Sequence, residues 1–330
     1  MILDKALPLY LDDNHPMIAL TLKQRHSLLE YRHKIDSQEY RLIPNLCLCG
    51  NRNEQKDIVL SEKDRYGLSM TFKICTDCGL IRTDPILDEQ SLLDFYQYLY
   101  TNIYRNIGYE EFFKKQYTRG QKFYKLLKQL DIVDKVNTIV EVGCGMGGIL
   151  QVFRETKIET IGYDYGIEYL KYGREKGLNL VYGGFNEVQN NKYDLIILSH
   201  ILEHASDPLK MIQDSVLKIK KGQYILIEIP SILNQETQKV FHHYFQQAHT
   251  FHFYKDYLID LFDTLKLKII YCNEESVFIL QKQSQSMDNK ISAIKRDITT
   301  NEIEILIKKL QFAKKLSHEL YLKRCLVHEN

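Results

Sequence analysis

What most constrains the fold of this 330-residue chain is a change of rhythm at Asn137. From there short β-rich runs alternate with amphipathic helical stretches: Thr138–Val142, a helix from Gly147, Thr160–Tyr163, then a helix from Ile167 to Lys176. Leu178–Tyr182, Leu195–Leu198, a helix after Pro208 and Tyr224–Ile229 follow, and a helix from Tyr254 to Leu265 leads into Lys268–Tyr271 and Val277–Leu280. Such alternation predicts an α/β protein with a doubly wound parallel sheet. Only the turn-like stretch Cys272–Ser276 separates the last two runs, so they predict an antiparallel hairpin at one sheet edge.

The flanks read differently. Residues 1–40 form an N-terminal helical segment, its helix spanning Met17 to Lys34, and residues 41–90 a module holding four cysteines between glycine and proline turn signals. Leu92 to Leu130 is aromatic with a helical period, Phe112, Phe113, Phe123, Leu126 and Leu127 marking one stripe, and the α/β domain is expected to span 91–282. In 283–330 a polar linker, which begins in the stretch QKQSQSMDNK, precedes a last helix, about Thr300 to Leu326. Its apolar positions Ile303, Leu306, Leu310, Ala313 and Leu320, with Ser317 as the gap, suit packing on its own domain or the seam of a homodimer.

Charge narrows the partners. Lys and Arg number 44 against 43 Asp and Glu, a net +1, which supplies no broad positive field for nucleic acid. The absence of a signal-peptide core and of any membrane-length apolar run points to a cytoplasmic protein with no membrane partner. In that compartment clustered cysteines read as metal ligands rather than disulfides. Tyrosine is frequent, 23 residues with no Trp, which suits stackable polar ligand surfaces and equally fits drift in an AT-rich genome.

The run Glu141-Val142-Gly143-Cys144-Gly145-Met146-Gly147-Gly148 follows a predicted strand and opens a helix. Glycines there let the backbone turn sharply and a ligand approach without Cβ atoms in the way. Asp164, at the end of the next strand, is placed to accept both hydroxyls of an adenosine ribose. Glu141 favours S-adenosylmethionine over NAD, because a buried carboxylate repels a pyrophosphate but suits an ammonium and a sulfonium. With YDYG around Asp164 and YDLIILSHILEHASDP after it, the segment from Leu92 to Lys282 resembles class I S-adenosylmethionine-dependent methyltransferases.

The resemblance implies a seven-stranded Rossmann-like sheet, with Gly143 and Gly145 under the methionine part, Asp164 on the ribose, Phe185 and Asn186 bordering the adenine, and Ser199-His200 closing the pocket. The expected cofactor-binding set is Glu141, Gly143, Cys144, Gly145, Gly147, Asp164, Tyr165, Phe185, Asn186 and Ser199, although Cys144 also reads as a small packing residue. Asn186 departs from the acidic form common in that loop.

His200, Glu203 and His204 can share one face of a helical turn at the carboxyl end of the fourth strand. The pattern resembles the metal-binding E-x-x-E-H of ubiquinone-pathway and small-RNA methyltransferases, but His200 replaces the first Glu and removes a hard oxygen ligand. A broader set of sugar-modifying methyltransferases carries HxLEH; there the implied role of His200 or His204 is to deprotonate the acceptor. The alternative is that Glu203 and His204 only organise the loop before the helix capped at Asp207-Pro208. Gln247–Phe253 resembles the segment after strand five in the same enzymes, which makes His249 a further base candidate and leaves His242, His243 and His252 as surface or packing residues.

Cys75-Thr76-Asp77-Cys78-Gly79 is a good zinc knuckle, and Cys47-Leu48-Cys49-Gly50 is a tighter partner, so Cys47, Cys49, Cys75 and Cys78 can complete one tetrahedral Zn²⁺ site; unbound buried thiols are the alternative. From these knuckles into FYQYLY the chain resembles the N-terminal zinc-binding region of sugar C-methyltransferases and of methyltransferases in surface-polysaccharide gene clusters, where it helps cover the acceptor. Tyr96, Tyr98, Tyr100 and Tyr104 then read either as an acceptor wall or as packing.

The expectation is a methyltransferase with a structural zinc, acting on a small polar acceptor such as a sugar nucleotide or glycan precursor. RNA methylation, quinone-type O-methylation, sugar C-methylation and a non-catalytic methyltransferase-like scaffold are the rivals.

Overall fold

Residues 7–104, 107–274, 276–283, 293–294, 296 and 298–327 are described by a computed structural model. Thr21 and Gln24 cap each other reciprocally and open α1 (Leu22–Asp36), so the first helix begins five residues later than its hydrophobic spacing suggests. β1 (Leu42–Ile43) pairs with β5 (Ile86–Leu87), and β2 (Asp57–Lys63), β3 (Ser69–Cys75) and β4 (Ile81–Thr83) form an antiparallel meander.

The aromatic stretch after Leu92 is not one helix. It runs as α2 (Glu89–Asp94), a π-helical turn over Phe95–Leu99 and α3 (Tyr100–Tyr104), and restarts at extended Gly108 as α4 (Tyr109–Gln129). Of the expected stripe, Phe113, Phe123 and Leu127 are buried, while Phe112 and Leu126 pack at its margin.

The strands of the central sheet are β6 (Thr138–Val142), β7 (Glu159–Asp164), β8 (Leu180–Tyr182), β9 (Tyr193–Ser199) and β10 (Ile219–Glu228), with β12 (Lys268–Cys272) and β13 (Val277–Gln281) as the hairpin. The spatial order is β12-β13-β10-β9-β6-β7-β8; all neighbours are parallel except the β13 pairings, which are antiparallel. Leu195–Leu198 and Ile225–Ile227 are wholly buried, as a sheet covered on both faces requires.

Alternation divides these side chains between two layers. Ile139, Leu195, Ile197 and Leu226 pack under α4, α5 (Gly148–Glu155) and α6 (Ile167–Glu175); Val140, Ile196, Leu198 and Ile225 face α7 (Pro208–Lys218) and α9 (Lys255–Thr264).

That second layer extends into the cysteine module, whose Leu60, Phe72, Ile74 and Leu80 belong to the same core as Tyr257 and Phe262. The join is also a hydrogen-bonded one. β11 (Phe251–His252) adds to the module's sheet beside β4, Phe251 opposite Arg82 and His252 opposite Ile81.

α8 (Gln235–Lys239) and the short turn Phe241–His243 receive α10 (Thr300–Val327). Ile303, Leu306, Leu310 and Ala313 are buried on the chain's own core, and Ser317 Oγ lies 2.6 Å from His242 Nδ1. Four positions of the expected apolar stripe thus pack within the chain, while Leu320 is half-buried. Most of the linker, residues 284–292, lies outside the described residues, as does the side chain of Leu326. No helix among the described residues is long and apolar enough to cross a membrane.

Candidate active site

The glycine loop leaves β6 at the carboxyl edge of the sheet. Gly143 and Cys144 donate their N–H groups to the Tyr163 carbonyl at 2.7 and 3.1 Å, which fastens the loop to β7. Gly143 has a φ of +70°, and a Cβ there would lie 2.0 Å from Ile201 Cδ1, so it is a close approach of Ile201 that requires glycine. Gly145 donates to Asp164 Oδ2 at 2.7 Å and Gly166 to Oδ1 at 2.7 Å, leaving each carboxylate oxygen further acceptor capacity for ribose hydroxyls.

Two expected cofactor residues point elsewhere. Cys144 is fully buried with its sulfur against Gly162, and Gly147 caps α5 where a Cβ would meet Leu178 and Leu180. Both positions pack between helix and strand. Phe185 packs half-buried on the core, Asn186 is exposed, and Tyr165 stands edge-on to Tyr182 with ring centroids 5.6 Å apart.

Glu141 is only 1% exposed and its Oε2 has no hydrogen-bond partner. Burial first, then Asp164, pushes its carboxyl well above the usual range, with Arg119 opposing and Glu228 adding to the rise. Such a carboxylate is relieved by a cation, and an S-adenosylmethionine ammonium and sulfonium supply one; the residues present fit that ligand. Gln116, on α4, holds the loop from above: its Nε2 donates to the Cys144 carbonyl at 2.9 Å and its Oε1 accepts from Met146 and Gly148 at 3.3 and 3.4 Å.

Ser199 is buried and donates to Glu228 Oε2 at 2.6 Å. The same oxygen lies 3.0 Å from Arg119 Nε and 3.4 Å from His200 Nε2. Neither Gln116 nor Arg119 nor Glu228 carries a motif; they reach the site by the packing of α4 and the register of β10.

His200 adopts φ +56°, a strained region for a non-glycine residue, and turns the chain out of β9 into the short 3₁₀ turn Leu202–His204. Glu203 then projects between two histidines, its Oε1 3.4 Å from His200 Nδ1 and 3.8 Å from His204 Nε2. It is 1% exposed and neither oxygen accepts a hydrogen bond. His204 Nδ1 lies 2.7 Å from the Ala248 carbonyl and 3.0 Å from the Tyr96 hydroxyl. A carbonyl only accepts, so Nδ1 carries the proton and Nε2 is the working nitrogen toward Glu203.

His249 comes from the loop before β11, its ring centroid 4.8 Å from that of His204. Burial, then His204 and His252, holds its pKa well below the usual range, so the ring stays neutral. Glu203, His204 and His249 present ligand atoms within 4.8 Å of one another and could hold a divalent ion with two nitrogens and one oxygen.

Tyr96, Tyr100 and Tyr104 line this centre, the Tyr100 and Tyr104 rings stacked at 4.9 Å and the Tyr100 ring 6.0 Å from His204. Tyr98 instead turns to solvent. His252 is a packing residue among Phe72, Tyr244 and Phe245, and His242 pairs with Ser317.

The four cysteines of the module converge. Cys47 Sγ is 3.4 Å from Cys78 and from Cys49, and Cys49 is 3.8 Å from Cys75. Zinc–thiolate bonds of about 2.3 Å place tetrahedral sulfurs about 3.8 Å apart, so the donor set fits one ion. The chain returns over this cluster near its end, Ile294 donating to the Leu48 carbonyl at 2.8 Å and Arg296 to the Cys78 carbonyl at 2.7 Å.

Residues 113–271 match the family model of a methyltransferase domain. The sheet order and edge hairpin are those of the class I methyltransferase fold, and the matched region is just under half of the chain. Among curated proteins it is 27% identical over 124 residues to the ubiquinone biosynthesis O-methyltransferase of Serratia proteamaculans, covering 35% of this chain and 49% of that protein. The Vibrio cholerae protein of the same name is 28% identical over 109 residues, covering 30% and 43%. The chain thus spans about half the length of these relatives or less. A solved S-adenosylmethionine-dependent methyltransferase from Archaeoglobus fulgidus is 20% identical with a TM-score of 0.40, covering 63% of this chain and 93% of that one.

Proposed function

We propose that this protein transfers a methyl group from S-adenosylmethionine to a hydroxyl of a small polar acceptor, a sugar nucleotide or related glycan precursor. The observation that carries the reading is the buried Glu203 carboxylate, without a hydrogen-bond partner and flanked by His200 and His204, at the carboxyl end of the strand next to the glycine loop. A polar centre so placed is suited to take a proton from an acceptor hydroxyl.

Asp164 would hold the ribose and Glu141 would face the cationic end of the donor. S-adenosylmethionine supplies a methyl on a sulfonium. As the acceptor oxygen–carbon bond forms and the carbon–sulfur bond breaks, His204 Nε2 would accept the hydroxyl proton, with neutral His249 packed beside it, and Glu203 would offset the charge that the imidazole gains. The task is chiefly alignment. The near-zero net charge supports a small acceptor over RNA. Cys47, Cys49, Cys75 and Cys78 would hold a structural Zn²⁺.

A quinol or phenol acceptor is the second reading. It is favoured by the names of the curated relatives and by the tyrosine wall of Tyr96, Tyr100 and Tyr104. Calorimetry with S-adenosylhomocysteine on zinc-assayed protein tests the class, and turnover on sugar-nucleotide and catechol panels separates the acceptors. No binding to folded protein overturns the methyltransferase reading.

A further inference from the structure

The acceptor-side centre is built from two segments far apart in the chain, joined by few hydrogen bonds. Glu203 follows β9 and His249 precedes β11. Besides the His204 Nδ1 contact with the Ala248 carbonyl, Thr250 fastens them: its N–H donates to the Glu203 carbonyl at 2.8 Å and its hydroxyl lies 2.9 and 2.7 Å from the carbonyls of Glu203 and Ala205. Thr250 and His249 are in turn gripped from the cysteine module. Thr83 donates its N–H to the Thr250 carbonyl at 3.1 Å and its hydroxyl to the His249 carbonyl at 2.6 Å. With its one proton so used, Thr83 Oγ1 accepts from His252 Nε2, 3.1 Å away.

Asn45, two residues before Cys47, completes the grip. Its Nδ2 donates to the carbonyls of Thr83 at 2.9 Å and Thr250 at 3.0 Å. Its own position is set on both sides, by donation from its N–H to Asp84 Oδ1 at 2.9 Å and by Arg82 Nε donating to its carbonyl at 2.8 Å. Arg82 is locked by a buried two-bond pair with Asp57. Asn45 is 4% exposed and Thr83 0%, so water does not replace these bonds. Among the described residues, no hydrogen bond joins residues 41–90 to Glu141, the glycine loop or Asp164.

We infer that Asn45 and Thr83 are positioning residues for His249 and Glu203, through which the cysteine module sets the acceptor-side geometry and leaves the cofactor side alone. The inference rests on the proposed function for its meaning but not for its test.

The test uses the full chain and the conservative pair Thr83→Val and Thr83→Ser. Valine keeps volume and strand preference but removes the hydroxyl; serine restores it. Each histidine is carbethoxylated with diethylpyrocarbonate and its rate read by peptide mass spectrometry, with S-adenosylhomocysteine affinity measured on the same sample. In Thr83→Val, loss of the bond to the His249 carbonyl should raise labelling at His249 about five-fold, His252 rising with it because the same hydroxyl is its acceptor, while exposed His33 is unchanged. Ligand affinity should stay within about two-fold, and Thr83→Ser should label like wild type. Asn45→Asp, an isostere that puts an acceptor against two carbonyls, should act like Thr83→Val.

Unchanged His249 labelling in Thr83→Val would overturn the inference. So would a rise at His249 accompanied by lost ligand affinity, which marks general destabilisation. Wild-type protein that does not bind S-adenosylhomocysteine would overturn the proposed function instead, and the His249 labelling would still decide the positioning.

Discussion

The two halves of the candidate site are made in opposite ways. The cofactor side is short-range: Gly143, Gly145 and Asp164 lie on consecutive β–α turns of one sheet and are fastened by backbone N–H groups. The acceptor side is long-range: Glu203, His204 and His249 meet Tyr96, and Thr83 stands behind them, residues scattered over more than half of the chain. A site of the first kind tolerates change in neighbouring modules; one of the second kind fails with any of them.

The sharpest way to test that contrast is Glu203→Gln, which keeps shape and removes charge. Turnover on a responsive acceptor should fall about 10²- to 10³-fold, with S-adenosylhomocysteine affinity within about two-fold. Equal loss of both would erase the distinction between the halves. Asp164→Ala should do the reverse, weakening S-adenosylhomocysteine about 100-fold in calorimetry by removing a charged acceptor for two hydroxyls.

Cys78→Ser probes the module behind the acceptor side. Zinc measured by atomic absorption should fall from one equivalent to none, with stability lower by about 3 kcal/mol in urea melts and no direct effect on the glycine loop.

pH reports the same packing. Burial, then His204, drives the His252 pKa down to about 3, so the unfolded chain binds the proton first. Stability contributed by neutral His252 is present above the unfolded value near 6.5 and is lost as pH falls toward 3. His252→Phe should therefore flatten the fall of Tm between about pH 6.5 and 4 relative to wild type. Buried Asp64, raised to about 6 chiefly by desolvation, acts in the opposite sense in both proteins and cancels in the difference. The smallest effect belongs to Asn186→Ala, less than about two-fold on S-adenosylhomocysteine affinity, because Asn186 is exposed.

How much was legible follows the same division. The β–α alternation, Asp164 and the edge hairpin appear in the sequence because period and turn chemistry act over a few residues. The four cysteines appear because two close pairs already suggest one tetrahedron. The packing of the Cys144 sulfur and the close approach of Leu178 and Leu180 to Gly147 are not legible, because a motif names positions and not what packs against them. The restart of the helix at Gly108 is not legible because the aromatic period runs across it. Gln116, Arg119, Glu228, Asn45 and Thr83 left no trace, since single polar residues at helical or strand spacing look like any solvated face.

By itself, then, the sequence determined the α/β class, the glycine loop with Asp164 at the end of the next strand, and the cysteine pairs, all from spacings that local geometry enforces. Only the tertiary structure decided that β11 joins the module's sheet, that α10 folds back on its own core, and that an unpartnered buried carboxylate stands between two histidines. Those outcomes depend on hydrogen bonds and burial between residues far apart in the chain, and no short-range pattern records which distant partner a buried polar group will find.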